Sequence, residues 1–235
     1  MTQPSTLVLF DIDGTLLSPE GCGRIALDLA LHEVFGRSGD IDNHRFAGKT
    51  DWQSVAELLG IDDDTVRAHM PAFEAAAARH MEAVIHGCGV RPCPGARELV
   101  ATLAETPAAL VGLLTGNMRT TALIKLRITG FDPDVFRVGA YGSEARARAA
   151  LPPLAIARAE ALAGLRFPGQ RVVIVGDTEA DVACGQGVGA RTLAVASGFS
   201  DRALLEASNP DYLFDDLSDQ EAVLTAIFEH GERGV

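Results

Sequence analysis

Two kinds of pattern alternate along the chain. Short apolar runs rich in Val, Leu and Ile occupy residues 7–10, 109–114, 171–175, 191–195 and, more faintly, 211–214, each ending on polar residues or glycine. Runs of this kind, without polar alternation, predict strands buried on both faces, as in a parallel sheet. Between them, helical periodicity predicts helices over 96–105, 118–129, 152–163, 179–188 and 203–208, and a last helix over 218–230. Strand and helix in turn predict a doubly wound α/β core.

One stretch breaks the alternation. From Pro19 to Arg91 no strand pattern appears. Residues 24–35 carry a broad apolar helical face, and residues 62–85 read as a long helix that Pro71 should split or kink. Thr50 and Gln53 form a capping-box pattern ahead of Val55, Leu58 and Leu59, with Gly60 as the stop. Arg91-Pro92-Cys93-Pro94-Gly95 then punctuates a return to alternation. The expectation is a core of residues 1–18 and 91–235, interrupted after its first strand by an α-helical insertion over 19–90.

Composition narrows the classes. The 235 residues are 47% apolar and 22% charged, as in an ordinary globular protein. A net charge of −12 argues against nucleic acid or an anionic membrane as partner, because those surfaces repel an acidic chain. No apolar run approaches the ~20 residues of a membrane-spanning helix. Residues 1–6 show no basic segment leading into an apolar one, so no export signal is expected. The four cysteines, Cys22, Cys88, Cys93 and Cys184, lack zinc-site spacing and read as reduced thiols of a cytoplasmic protein.

In open parallel sheets, ligands gather beyond the carboxyl ends of the strands. Three predicted strands deliver small, polar or acidic residues there: Asp11-Ile12-Asp13-Gly14-Thr15, Thr115-Gly116-Asn117, and Gly176-Asp177-Thr178-Glu179-Ala180-Asp181. Asp11 and Asp13, two apart, would point to one side if extended geometry continued. Carboxylates so close repel unless a cation lies between them or one is protonated, and hard oxygen ligands suit Mg²⁺. Asp177 and Asp181, four apart, share a face if a helix begins there. A turn or a helix cap is the plainer reading of any one such pair. Thr115-Gly116-Asn117 offers a hydroxyl and backbone N–H groups at a helix start, a plausible cradle for phosphoryl oxygens. An acidic protein that handles phosphate must concentrate positive charge locally, which a bound metal ion does.

These segments, with Leu113 and Leu114 ahead of Thr115, resemble the first, second and fourth motifs of the haloacid dehalogenase-like hydrolase superfamily. Motif order and spacing extend the resemblance over nearly the whole chain. The helical insertion after the first motif is similar to the cap of the phosphoglycolate phosphatase and β-phosphoglucomutase branch. The resemblance implies a Rossmann-like core and a Mg²⁺-dependent phosphatase acting on a small phosphorylated metabolite, as monomer or homodimer. It implies Asp11 as nucleophile, forming an aspartyl-phosphate, and Asp13 as general acid and base. Thr115, Gly116 and Asn117 would hold the phosphoryl group. Asp11, Asp177 and the backbone carbonyl of Asp13 would hold the metal, with Asp181 in or near the surrounding shell.

The third motif departs from the pattern, which expects a Lys or Arg near the start of the helix preceding the fourth. No Lys occurs between residues 126 and 175. Arg148 is the choice, from Tyr141-Gly142-Ser143-Glu144-Ala145-Arg146-Ala147-Arg148 ahead of Leu151-Pro152-Pro153, with Arg146 and then Lys125 as rivals. Phe46-Ala47-Gly48-Lys49-Thr50-Asp51 resembles the cap loop that faces the site, where Lys49 would meet a distal charge of the substrate or simply be exposed. Gly185, Gly187 and Gly189 follow no strand directly and suggest tight helix packing rather than a dinucleotide site. The histidines receive no role. A phosphomutase stays open beside the phosphatase, as does, more remotely, a non-catalytic binding protein. Asp13 argues against dehalogenation, since an alkoxide leaving group needs a proton and a halide does not.

Overall fold

The computed structural model of the chain describes residues 3–229. Six parallel strands form one sheet in the order β5-β4-β1-β6-β7-β8. They are β1 (Thr6–Phe10), β4 (Ala109–Leu114), β5 (Val138–Ala140), β6 (Val172–Gly176), β7 (Arg191–Val195) and β8 (Tyr212–Phe214). Their side chains alternate across the sheet, so Val8 and Phe10 join Leu99, Leu103, Val223 and Ile227 on one face. Leu7 and Leu9 meet Leu151, Ala155 and Ala159 on the other. Helices α4 (Ala96–Glu105), α5 (Arg119–Ile128) and α9 (Gln220–Phe228) bring the first set of partners, and α6 (Leu151–Ala163) and α7 (Glu179–Gly187) cover the opposite face. Helix α8 (Arg202–Ala207) packs by Leu205 against Ala194 of β7 and Val182 of α7. This is the expected doubly wound α/β core. The expected last helix forms as α9, and His230 lies outside the described residues.

Strand β1 is central, paired with β4 and β6; the chain builds β4 and β5 on one side of it and then crosses over to build β6, β7 and β8 on the other. Connections that diverge in this way open a crevice at the carboxyl end of β1, where ligands bind. Above that crevice stand α1 (Cys22–Phe35), α2 (Asp51–Leu59) and α3 (Asp63–Val84), with a core of their own around Leu31, Trp52, Val55 and Phe73. Two short antiparallel strands, β2 (Leu17–Ser18) and β3 (Arg91–Pro92), carry the chain into and out of this helical insertion.

Three local expectations are corrected. Pro71 does not divide its helix: α3 is continuous, with Pro71 exposed inside it. The missing N–H frees one carbonyl to solvent, while Met70, Phe73, Ala77 and Met81 bury a stripe that spans both halves. The capping box at α2 is half formed. Thr50 Oγ1 accepts from the Gln53 N–H (3.0 Å), but the Gln53 amide turns to Glu57 (2.8 Å), a charged acceptor one turn on. Finally, β5 escaped the periodicity because three residues, one of them glycine, are too few to show it. Its role is to launch the loop that ends at Arg148.

Candidate active site

The turn after β1 sets the floor of the site. Gly14 has φ +89°, and a Cβ there would lie 2.2 Å from Asp177 Oδ2, so the Asp11–Thr15 turn and the end of β6 can approach only with glycine between them. Asp177 is fully buried. Thr15 Oγ1 donates to its Oδ1 (3.2 Å) and the Phe199 N–H to its Oδ2 (2.7 Å). Asp181, four residues on, completes a capping box with Thr178, the N-cap of α7: its Oδ2 accepts from the Thr178 N–H (3.1 Å) and Oγ1 (2.6 Å). Its Oδ1 faces Arg148 Nη2 at 2.5 Å, and the same nitrogen stands 3.1 Å from Asp11 Oδ2.

Arg148 is buried at the short turn that starts α6. Of the three cations considered for the third motif, it is the one that meets both Asp11 and Asp181. Arg146 points outward to Asp63 (3.3 Å). Lys125 is 1% exposed and meets the other member of the pair: its ammonium lies 2.6 Å from Asp13 Oδ2 and 2.7 Å from Asn117 Oδ1. Asn117 Nδ2 donates to Asp13 Oδ2 and to Thr115 Oγ1, both at 3.0 Å. Thr115, Asn117, Asp11 and Asp13 are thus brought together. Lys49 is held elsewhere: its ammonium pairs with Glu57 at 2.5 Å, while its carbonyl presses on Gly116, where a Cβ would lie 2.0 Å away.

Asp11, Asp177 and Asp181 have oxygens within 4.8 Å of one another, and Asp13 lies outside that cluster. Burial, opposed in part by Arg148, raises the Asp11 carboxyl to about 6. Burial, and then repulsion by Asp11 and Asp181, pushes Asp177 well above the usual range. Asp11 Oδ1 is buried and has no hydrogen-bond partner. Three clustered buried carboxylates, only two of them paired with a guanidinium and one bearing an orphaned oxygen, fit a hard divalent cation. Asp11 and Asp177 could hold it, since Asp177 meets only neutral donors. Asp181 is already paired with the Arg148 guanidinium and bound to Thr178, and fits the surrounding shell.

A cavity of about 400 Å³ opens over Asp11, Asp13 and Asn117, roofed by Arg24, Arg45 and Phe46 of the helical insertion. The N-terminus of α2 docks directly on the core beside it. The Asp51 N–H donates to the Gly116 carbonyl (2.7 Å) and the Trp52 N–H to the Gly142 carbonyl (3.1 Å). Free N–H groups of a first helical turn thereby find acceptors outside the helix. The Asp51 carboxylate accepts from the Met118 N–H (2.7 Å) and lines the cavity.

Burial raises the Asp51 carboxyl to about 6 from 3.8. The folded state therefore holds this proton more tightly, and the contribution to stability falls as pH rises from ~4 to ~6. Asp51→Asn keeps the acceptor for Met118 and removes the charge. We expect it to flatten that fall and to gain up to about 3 kcal/mol at neutral pH, measured by urea unfolding without Mg²⁺ at pH 4.5 and 7.5. An unchanged difference between the two pH values would refute the assignment.

Sequence reasoning ranked Lys125 last among the rivals and gave the Asp51 carboxylate no role. A signal existed for Lys125: Thr121, Ala122, Lys125 and Leu126 fall on the buried stripe of α5, and an ammonium on an apolar stripe needs a partner. Asp51 gave none, since it stands at the first turn of a helix, where acidic residues are ordinary.

A HAD-hydrolase-like family model matches residues 152–220, which include Asp177 and Asp181. The chain is 25% identical to the pyrophosphatase PpaX of Bacillus mycoides, over 94% of this chain and 97% of that one. A hydrolase from Pseudomonas syringae superposes with TM-score 0.66 at 21% identity, covering 94% of this chain and 98% of that one. CbbY from Rhodobacter sphaeroides, solved with phosphate, gives TM-score 0.64 at 18% identity, covering 91% and 95%. The chain thus shares the fold of these solved structures and, over residues 152–220, resembles the HAD-hydrolase-like family. Among the described residues no helix is long and apolar enough to cross a membrane.

Proposed function

We propose that the protein is a Mg²⁺-dependent phosphatase that hydrolyses a small phosphorylated metabolite in the cytoplasm through an aspartyl-phosphate on Asp11. One observation carries the reading: Asp11 and Asp13 face one cavity in unlike surroundings. Asp11 belongs to an acidic cluster with Arg148, and Asp13 stands apart on Lys125 and Asn117. Unlike environments for two neighbouring carboxyls are how one site separates nucleophile from acid. PpaX relatives and a phosphate-bearing structural neighbour support phosphate chemistry.

In the first step Asp11 attacks phosphorus, the bond to the leaving oxygen breaks, and Asp13 gives that oxygen its proton. In the second, Asp13 takes a proton from water, which attacks the phosphoryl group and releases Asp11 and inorganic phosphate. Arg148, Thr115 and the loop N–H groups of Gly116 and Asn117 hold phosphoryl oxygens. Mg²⁺, when bound, neutralises phosphoryl charge and aligns it with the nucleophile. Residues 19–90 act as a cap over the core of 1–18 and 91–235, excluding bulk water. A cavity of about 400 Å³ suits a metabolite of a few carbons.

The test supplies the protein with p-nitrophenyl phosphate and a panel of phosphorylated metabolites, including 2-phosphoglycolate and hexose phosphates, with Mg²⁺ or EDTA. Phosphate should appear with Mg²⁺ alone. Mg²⁺ should also raise the melting temperature, and Asp177→Asn should abolish that rise while making the metal-free protein more stable. No Mg²⁺-dependent phosphate from any compound would sink the reading. Isomerisation of a sugar phosphate without free phosphate would assign a mutase instead.

A further inference from the structure

Each member of the Asp11/Asp13 pair has its own buried cation, and the second cation is unexplained by the chemistry above. The chain has eighteen arginines and two lysines, so its ordinary cation is arginine. Yet one of the two lysines is buried on α5, 1% exposed, with its ammonium on Asp13 Oδ2 (2.6 Å). An apolar side chain would fill that position without desolvating a charge. A compact ammonium is a point charge with three donors, able to serve two acceptors at once. One donor goes to Asp13 and a second to Asn117 Oδ1 (2.7 Å). Asn117 closes the triangle by donating to the same Asp13 oxygen (3.0 Å). Asp13 Oδ2 therefore accepts two hydrogen bonds, while Oδ1 is buried and accepts none.

This asymmetry matters because Asp13 sits in a tight turn, next to Gly14 at φ +89°. Its side chain has no other hydrogen-bonded anchor among the described residues. Resting on the phosphatase reading, we infer that Lys125 is a positioning residue for proton transfer by Asp13. With Asn117 it pins Oδ2 and so fixes the orientation of the carboxyl group that delivers a proton to the leaving group. Lys125 also lies against the helical insertion, where a Cβ on Gly23 of α1 would be 3.5 Å from its Nζ. The anchor of the acid is thus at the seam between sheet and insertion.

A proton donor counts in proportion to the basicity of the leaving oxygen. The experiment compares kcat/KM, which reports chemistry up to leaving-group departure, for p-nitrophenyl phosphate and an alkyl phosphate that the wild type hydrolyses. The variants are Lys125→Met and Lys125→Gln, at fixed Mg²⁺. Lys125→Met should lower kcat/KM for the alkyl phosphate by about 100-fold and for p-nitrophenyl phosphate only a few-fold, with Lys125→Gln between. In an Asp13→Asn background, Lys125→Met should add nothing. Equal losses on both substrates, or a further loss in the Asp13→Asn background, would overturn the proposal. So would failure of both variants to fold, which assigns Lys125 to the fold. A wild type that releases no phosphate at all would instead sink the underlying phosphatase reading.

Discussion

Asn in place of Asp11 is expected to lower Mg²⁺-dependent phosphate release by about 10⁴-fold or more, the scale of loss when a covalent nucleophile is removed. Asn matches Asp in shape, and its oxygen can still accept from Arg148, so the loss would report chemistry rather than collapse of the site. The same substitution should raise the melting temperature of the metal-free protein. Asp11 is buried with its carboxyl raised to about 6, so holding it ionised at neutral pH costs the native state free energy that the unfolded chain does not lose. More active and less stable is the usual direction of compromise at a catalytic carboxylate. The check is initial-rate kinetics beside a melting curve in EDTA. Turnover above about 1% of wild type would remove Asp11 from the nucleophile role.

Arg148→Met should be the most damaging single change to stability. The guanidinium is shared by Asp11 (3.1 Å) and Asp181 (2.5 Å), both buried, with Asp177 close by. Burial opposes its charge, but these carboxylates outweigh burial and hold it firmly protonated. Removing one partner of a buried ion pair typically costs about 3–5 kcal/mol, because the partner charges remain. For a chain of this size that is a fall of roughly 10 °C in melting temperature. Mg²⁺ should restore part of it by supplying positive charge to the same carboxylates, and Asp11→Asn added to Arg148→Met should restore part by removing one of them. Activity should be lost in every combination. Equal gains in stability from Asp11→Asn in the wild type and in the Arg148→Met background would show that the two residues do not share their charge in the way the distances indicate.

The two expectations draw on different kinds of legibility. Asp11, Asp13, Thr115 and Asp177 could be read from the chain because each follows an apolar run directly, and the end of a buried strand is where a parallel sheet exposes chemistry. Arg148 was named from a loop resembling a family motif, with Arg146 two residues away as rival. Their fates differ completely, one buried on two carboxylates and the other out at Asp63. Nothing local separates them, since both sit in the same irregular segment. Lys49 shows the converse. Its loop does press on the Thr115–Asn117 loop, but through its backbone, while the charge is spent on Glu57.

By itself the sequence determined the order of the helices and of the longer strands, β5 excepted, the interruption by helices after β1, and the carboxylates at the strand ends. All of these follow from periodicity and punctuation within a few residues, which every neighbour along the chain reinforces. Only the tertiary structure decided which cation serves which carboxylate. Lys125 and Asp13 are 112 residues apart in the chain and 2.6 Å apart in space. Arg148 meets Asp181 across 33 residues and a crossover helix. Coulomb energy and desolvation depend on distance and burial, and no pattern along the chain encodes either. The same cause explains Asp51: as a helix-start acid it is unremarked, and docking α2 against Gly116 and Gly142 is what buries it and lifts its carboxyl to about 6.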